Sequence, residues 1–130
     1  KADIAFNPTN IPMVECLPAQ INQVFMNIIV NAAQAIDEKG KITITLTHTD
    51  QWVCISIRDT GIGISEKDLN RIMEPFYTTK PIGLGTGLGL SISYGIIKTH
   101  HGRIDIESTI GEGSAFHIWL PLKQPLQKQI

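Results

Sequence analysis

Apolar residues recur at helical spacing between Ala19 and Ile36. Because residues three or four apart share one face of a helix, this spacing predicts a helix over the whole segment. Two further apolar positions, Met26 and Val30, widen the apolar surface, so the helix is expected to be largely buried. The positions on its main apolar face are Ile21, Val24, Phe25, Ile28, Ile29, Ala32, Ala35 and Ile36.

Strict alternation of apolar and polar residues, which is typical of half-buried strands, occurs in four segments. Turns are predicted at 49–51 and 109–113, and two shorter strands are predicted at 2–6 and 11–16. The four alternating segments are residues 41–48, 52–59, 103–108 and 114–120.

Two more helices complete the pattern. One is predicted from Leu88 to about His100, and a short one follows Ser65, a typical N-cap residue. Residues 74–87 contain two prolines and three glycines, which predicts an irregular loop. The sequence beyond Pro121 is polar, and we expect it to be a frayed tail.

Each predicted strand has one apolar face and one mixed or polar face. This favours an α/β (α+β) two-layer sandwich, with a mixed, mostly antiparallel sheet that carries helices on one face. Doubly wound nucleotide folds have strands that are apolar on both faces, so they are excluded. A Walker A loop is also absent, because the only Gly-Lys pair, Gly40-Lys41, is followed by Ile42.

The composition predicts one globular domain over 1–130, with its core at about 14–121 and its tail at 122–130. A formal net charge of −1 gives no long-range attraction to nucleic acid or to an anionic membrane surface. Cys16 and Cys54 lack a metal-binding spacing and are interpreted as buried free thiols. No apolar run is long enough to span a membrane, so we expect a cytoplasmic domain, which could belong to a longer protein anchored in the inner membrane.

Four amides fall within about 80° of arc on the first helix at 3.6 residues per turn. One interpretation is that they line a cleft, where amide oxygens can ligate Mg²⁺ and face phosphates. The other is a helix edge that faces water, and the sequence leaves both open. The four residues are Gln23, Asn27, Asn31 and Gln34.

Two glycine-rich segments lie where predicted loops meet regular elements. In Asp59-Thr-Gly-Ile-Gly-Ile64 the carboxylate ends a strand, so it could accept a hydrogen bond from an exocyclic amine such as that of adenine. Gly85-Thr-Gly-Leu-Gly89 leads into a helix, where free N–H groups could hold a phosphate. Each segment alone is equally typical of a turn, but together they suggest a nucleotide site.

The order and spacing of four motifs resemble the N, G1, F and G2 boxes of the catalytic ATP-binding domain of sensor histidine kinases, within the GHKL superfamily. The resemblance covers about residues 14 to 121, including a closing Gly111-Glu-Gly-Ser-Ala-Phe116 and Leu120-Pro121. The F box looks most like that of the nitrogen-regulation branch. The motifs are Asn27-Ile-Ile-Val-Asn31-Ala, Asp59-Thr-Gly-Ile-Gly63, Glu74-Pro-Phe-Tyr-Thr-Thr-Lys80 and Gly85-Thr-Gly-Leu-Gly-Leu90.

This resemblance implies a Bergerat ATP-binding fold with ATP and Mg²⁺ as ligands. It implies Asn31 and Asn27 as ligands of Mg²⁺, Asn27 and Lys80 as catalytic residues, and Asp59 as the adenine reader. Residues 74–87 resemble the family's ATP lid. The other implied ATP-binding positions are Ala35, Gly61, Gly63, Ile64, Phe76, Thr79, Gly85, Thr86, Gly87, Leu88, Gly89, Leu90 and Ser114, the last acting through water.

The chain departs from the family's pattern in two places. Leu17 stands before Pro18 where a capping Asp is common, and none of the four histidines is followed by the acidic residue and proline of a phosphoacceptor motif. The acceptor histidine is therefore expected outside this chain, on a helical dimerisation domain, with a response regulator downstream. The isolated domain is expected to be monomeric, without nucleic-acid or direct membrane contact.

ATP-hydrolysing relatives of this fold carry Glu where Asn27 stands. Phosphoryl transfer to a protein histidine is therefore favoured over hydrolysis, since an amide is a poor base. An ATP hydrolase and a non-catalytic nucleotide-binding regulatory module remain the alternatives.

Overall fold

The computed structural model describes residues 2–7, 13–36, 39–72 and 89–124. Within these residues the chain forms five strands and three helices. In chain order they are β1 (Ala2–Asn7), α1 (Pro18–Gln34), β2 (Gly40–His48), β3 (Trp52–Asp59), α2 (Glu66–Leu69), α3 (Gly89–Thr99), β4 (Arg103–Thr109) and β5 (Gly113–Pro121).

The strands form one sheet in the order β1-β2-β3-β5-β4. β2 and β3 form one antiparallel hairpin, β4 and β5 form another, and β3 pairs with β5 to join the two. Only β1 is parallel to its neighbour, with Ile4 opposite Ile42. The sheet is therefore mixed and mostly antiparallel, as the alternation of apolar and polar residues predicts.

α1 and α3 pack against each other on one face of this sheet, and the core lies between the helices and the strands. The opposite face is polar, with Arg58, Glu107 and the paired Ser56 and His117 side chains. The predicted two-layer α/β architecture is confirmed. Fully buried core side chains come from α1, α3 and the strands, and include Val24, Ile28, Ile42, Ile57, Ile97, Phe116 and Ile118.

α1 begins without a side-chain cap. Leu17 occupies the N-cap position in an extended conformation and is 57% exposed, and Pro18 opens the helix. The Leu17 N–H instead donates to Nε2 of His100, at 3.1 Å, while Nδ1 of the same ring lies 2.8 Å from the Ile96 carbonyl oxygen. His100 is buried, so one imidazole ties the start of α1 to the end of α3.

The predicted strand at 11–16 is wrong where it can be examined, because residues 13–16 form no strand. Among the described residues, this segment makes one backbone hydrogen bond to the segment that follows β5, from the Glu15 N–H to the Leu122 carbonyl, in place of a ladder of strand pairing. Met13 is almost fully exposed. Cys16, predicted to be buried in this strand, is half-buried outside any strand, whereas Cys54 is buried in β3; both are free thiols.

The predicted frayed tail is wrong for residues 122–124. Leu122 packs against the core and its N–H donates to the Gln51 carbonyl. Gln124 donates its side-chain amide to the His100 carbonyl at 2.8 Å. These bonds hold the chain after β5 against the β2–β3 turn and the end of α3, which a composition-based argument could not detect.

The predicted burial of most of α1 is wrong, because Met26 and Val30, on its second apolar side, are 59% and 45% exposed. The other described helices and strands agree with the prediction. Ser65 is the N-cap of α2 and accepts a hydrogen bond from the Asp68 N–H. The whole predicted lid at 74–87, together with Leu88, lies outside the described residues. None of the helices in the described ranges is long and apolar enough to cross a lipid bilayer.

Candidate functional site

Asn27 lies where α1 packs against α3. Its Nδ2 donates to the Gly89 carbonyl oxygen and to the Ser93 Oγ, each at 3.2 Å. Both N–H groups of the amide therefore have acceptors on α3. The oxygen, Oδ1, is the part of this half-buried side chain that remains for a ligand.

Asn31 is one helical turn further along α1, so it projects from the same face as Asn27. It is also half-buried, whereas Gln23 and Gln34 are exposed. The amide stripe thus divides: its two central members lie at the edge next to α3, and its ends face solvent. Gln23 lines an open groove of about 1030 Å³ between the start of α1 and the end of α3, which Asp59 does not line.

Asp59 ends β3 and is only 3% exposed. Its Oδ1 accepts a hydrogen bond from the Gly61 N–H at 2.8 Å. Burial raises the pKa of the Asp59 carboxyl above its ordinary value, and the backbone N–H groups of Gly61 and Ser114 offset part of that rise. Asp59 also lines a small pocket of about 180 Å³ at the ends of β3, β4 and β5, together with Arg58 and Glu107 of the polar face.

The glycines after Asp59 permit a close approach to α1. A Cβ on Gly61 would lie 2.5 Å from the Ala35 carbonyl oxygen, which also accepts the Ile62 N–H at 3.0 Å. Gly63 has a positive φ of 79° and lies directly against the Thr109 carbonyl. A side chain at either position would push the loop away from the helix or the sheet.

Ser114 lies opposite Asp59 in the β3–β5 register and is buried. Its Oγ is 2.8 Å from the Oγ of Ser108 on β4, which also accepts the Ile64 N–H at 2.7 Å. Ser108 was not among the predicted site residues. The one available indication is that it is the polar member of an otherwise apolar series, after Ile104 and Ile106.

The structure therefore brings Asp59, Ala35, Gly61, Gly63, Ile64 and Ser114 together. Asn27, Asn31, Gly89 and Leu90 lie along α1 and at the start of α3. Seven predicted site residues lie outside the described residues: Phe76, Thr79, Lys80, Gly85, Thr86, Gly87 and Leu88.

One helix connects these two groups. Ala35 ends α1 beside the Asp59 loop, Asn31 lies one turn earlier and Asn27 two turns earlier. Eight residues of helix span about 12 Å at 1.5 Å per residue. The Asp59 loop and Asn27 therefore lie at positions along α1 that are about 12 Å apart.

The donor set also fits Mg²⁺. Amide oxygens are hard ligands that suit Mg²⁺, which commonly takes few protein ligands and completes its shell with phosphate oxygens and water. In the described part of the chain no three His, Cys, Asp or Glu residues are grouped to hold a metal ion. Asn27 and Asn31 are therefore the residues that would hold this ion.

The comparisons with known proteins agree with this geometry. Residues 16–124 match the family described as histidine kinase-, DNA gyrase B-, and HSP90-like ATPase. The chain belongs to this ATPase family.

Its curated relatives are histidine kinases or sensor kinases. The chain is 47% identical over 121 residues to sporulation kinase E of Bacillus subtilis, covering 92% of this chain and 16% of the relative. It is 39% identical over 112 residues to the sensor histidine kinase ZraS of Escherichia coli K12, covering 86% of this chain and 24% of the relative. The chain thus spans only a small part of these proteins.

Solved structures show the same fold. The catalytic domain of histidine kinase ThkA, in a nucleotide-free form, has a TM-score of 0.81 and 37% identity, covering 93% of this chain and 80% of that one. Full-length ShkA in complex with AMPPNP has a TM-score of 0.82 and 26% identity, covering 97% of this chain and 27% of that one. The resemblance to histidine-kinase catalytic domains is confirmed, and with it the Bergerat ATP-binding fold.

Proposed function

We propose that this domain binds Mg²⁺-ATP and transfers the γ-phosphoryl group to a histidine on a separate helical dimerisation and phosphoacceptor domain. The observation that carries the proposal is that the loop after Asp59 meets the C-terminal end of α1, the helix that carries Asn31 and Asn27. Asp59 lies buried beside the C-terminal end of α1, and the two asparagines follow along the helix toward α3. This order matches a base, then a metal, then phosphates.

Asp59 accepts a hydrogen bond from the exocyclic amine of adenine. Its second role is local, because the Gly61 N–H bond keeps the glycine loop against Ala35. Ser114 lies opposite Asp59, with its hydroxyl paired to that of Ser108, and a water at this pair could bridge to the base.

Asn31 and Asn27 would hold Mg²⁺ through their amide oxygens, and the ion would supply charge neutralisation at the phosphates when bound. The residues of this chain orient the triphosphate, while the nucleophile comes from the partner. In the transfer, a nitrogen of the partner histidine forms a bond to the γ-phosphorus, the bond from that phosphorus to the bridging oxygen breaks, and ADP leaves. Lys80 and the Gly85–Gly89 segment are proposed to contact the phosphates.

Asn27 favours transfer over hydrolysis. Its amide nitrogen is committed to Gly89 and Ser93, and an amide oxygen has too low a basicity to activate water. A hydrolase would need a carboxylate at this position. The proposed reaction therefore needs an acceptor that this domain does not supply.

The proposed partners follow from this dependence. The first is the helical domain that bears the acceptor histidine, and the second is a downstream response regulator. The domain is proposed to act in the cytoplasm as a monomer, without nucleic-acid or direct membrane contact; the full-length protein could be anchored in the inner membrane.

The test supplies the missing partner. The chain is mixed with γ-labelled ATP, Mg²⁺ and a dimeric helical domain that carries the acceptor histidine. We expect acid-labile label on the partner and none on this chain. Asn31→Ala should eliminate the label, whereas Gln34→Ala, which removes an exposed amide from the same helix, should leave it unchanged.

The contrary result is equally clear. Rapid release of phosphate by the chain alone, at a rate comparable with transfer to the partner, would establish the hydrolase alternative. Binding of Mg²⁺-ATP with neither label nor hydrolysis would establish the regulatory alternative.

A further inference from the structure

Ser93 is a polar residue in a position that normally holds an apolar one. It lies in the middle of α3, is fully buried at 0% exposure, and shares the buried face of that helix with Ile97. A buried hydroxyl group costs free energy unless it is hydrogen-bonded. Its described partner is the amide nitrogen of Asn27 on α1, at 3.2 Å.

The amide of Asn27 can be placed in two orientations, related by a half-turn about its last torsion. In the observed one, the two N–H groups point to the Gly89 carbonyl and the Ser93 hydroxyl. In the other, the amide oxygen would face the Gly89 carbonyl oxygen, and two acceptors would oppose each other. The Gly89 carbonyl, which can only accept, therefore selects the orientation that presents Oδ1 to the ligand side, and the Ser93 hydroxyl accepts the second N–H and holds the amide in that orientation.

We propose that Ser93 is a positioning residue that fixes the Asn27 amide with its oxygen toward the metal and phosphates. This inference rests on the proposed function and adds a residue to it, since Ser93 itself touches neither ligand. It also gives the α1–α3 contact a specific purpose. The Gly89 bond joins the amide to the first residue of α3, which is also the last glycine of the glycine-rich segment.

The first test measures binding of a non-hydrolysable ATP analogue by calorimetry, once with Mg²⁺ and once with EDTA. Ser93→Ala removes the acceptor while leaving a small side chain in the same space. The gain in affinity on adding Mg²⁺ should fall by about 3- to 10-fold, the effect of one ordinary hydrogen bond. Affinity in EDTA should stay within about twofold of wild type, because base recognition at Asp59 is untouched.

Thr99→Ala is the matched control. It removes a hydroxyl from the same helix, where that group bonds only within its own last turn and is exposed. The Mg²⁺-dependent gain should be unchanged in this variant. Combining Ser93→Ala with Asn27→Ala should lower the gain no further than Asn27→Ala alone, because Ser93 acts through Asn27.

The second test needs no nucleotide. In ligand-free protein, nuclear magnetic resonance of the Asn27 side-chain NH₂ protons should show slow exchange with water, and Ser93→Ala should speed it. The exposed Gln34 amide is the internal reference. Unchanged exchange in the variant would show that Ser93 does not hold the amide.

The outcomes separate the two proposals. A wild-type chain whose affinity is the same with Mg²⁺ and EDTA contradicts the proposed function. A wild-type gain that Ser93→Ala leaves intact contradicts the positioning role alone. Equal loss of affinity with and without Mg²⁺ would assign Ser93 to packing and also overturn the inference.

Discussion

Replacing Asp59 by Asn removes one charge at the end of β3 while keeping the size of the side chain. The variant can still accept the Gly61 N–H, so the glycine loop should keep its place. What changes is the group that is proposed to face adenine. The carboxylate accepts from the exocyclic amine, whereas the amide can present its own N–H groups there.

The expected loss of affinity follows from the kind of bond removed. A hydrogen bond to a charged group contributes about 1.5 to 3 kcal/mol. At 1.36 kcal/mol per factor of ten, ATP binding should weaken by roughly 10- to 150-fold. In the variant, the amide N–H groups would also oppose the N–H groups of the adenine amine, which weakens binding further. Binding should therefore be abolished at ordinary protein concentrations.

Stability should change in the opposite direction. Burial raises the pKa of Asp59 above its ordinary value of 3.8, so the folded protein binds this proton more tightly than the unfolded chain does. The contribution of the group to stability is therefore most favourable at low pH, and it is lost as pH rises from 3.8 through the raised pKa. Asp59→Asn removes this dependence, so its melting midpoint at neutral pH should equal or exceed that of wild type.

Calorimetry with Mg²⁺ and a non-hydrolysable ATP analogue measures the affinity, and thermal melts between pH 3 and pH 8 measure the stability. Asp105→Asn is the control, because it makes the same chemical change on an exposed residue that pairs with Arg103. Unchanged affinity in Asp59→Asn would remove this residue from the site. A lower melting midpoint of Asp59→Asn at neutral pH would refute the inference that the buried Asp59 charge destabilises the folded protein.

Three further predictions concern the frame around the site. Leu17→Asp should raise the free energy of unfolding by about 0.5 to 2 kcal/mol by capping α1, since Leu17 is 57% exposed; a lower thermal midpoint would contradict this. His100→Phe should lower the free energy of unfolding by about 1 to 3 kcal/mol, because the Leu17 N–H loses its acceptor. His48→Phe, at an exposed position, should have no effect in the same melts. Limited proteolysis should cut free protein near Pro81–Gly85, and an ATP analogue with Mg²⁺ should suppress the cut; equal cutting in both states would refute the lid assignment.

The sequence predicts the sheet well because the strands are set by local information. Alternation locates β2, β3, β4 and β5, and the turn residues at 49–51 locate the first hairpin. The errors occur where a segment is held by distant partners. Residues 13–16 are held by a backbone hydrogen bond to Leu122, and residues 122–124 by a side-chain hydrogen bond to His100. No local sequence pattern encodes such long-range bonds.

The same distinction between local and long-range information holds for the residues of the candidate site. Asp59 and the glycines that follow could be predicted, because a strand end and a tight loop leave clear residue types. Ser93 and Ser108 could not, since each derives its role from a partner on another element, Asn27 and Ile64 respectively. A serine inside an apolar helix or strand is a weak signal until its neighbour in space is known.

The position of the proposed adenine pocket also bears on how the protein folds. Hairpins of neighbouring strands form in about 1–10 µs, whereas pairing between distant segments must first close a long loop. Asp59 and Ser114 lie on opposite sides of the β3–β5 seam, which joins the two hairpins. A chain with both hairpins formed but unjoined would therefore have no pocket. Nucleotide therefore binds only molecules in which β3 has paired with β5. This binding stabilises the folded domain by mass action, and it indicates that folding is complete.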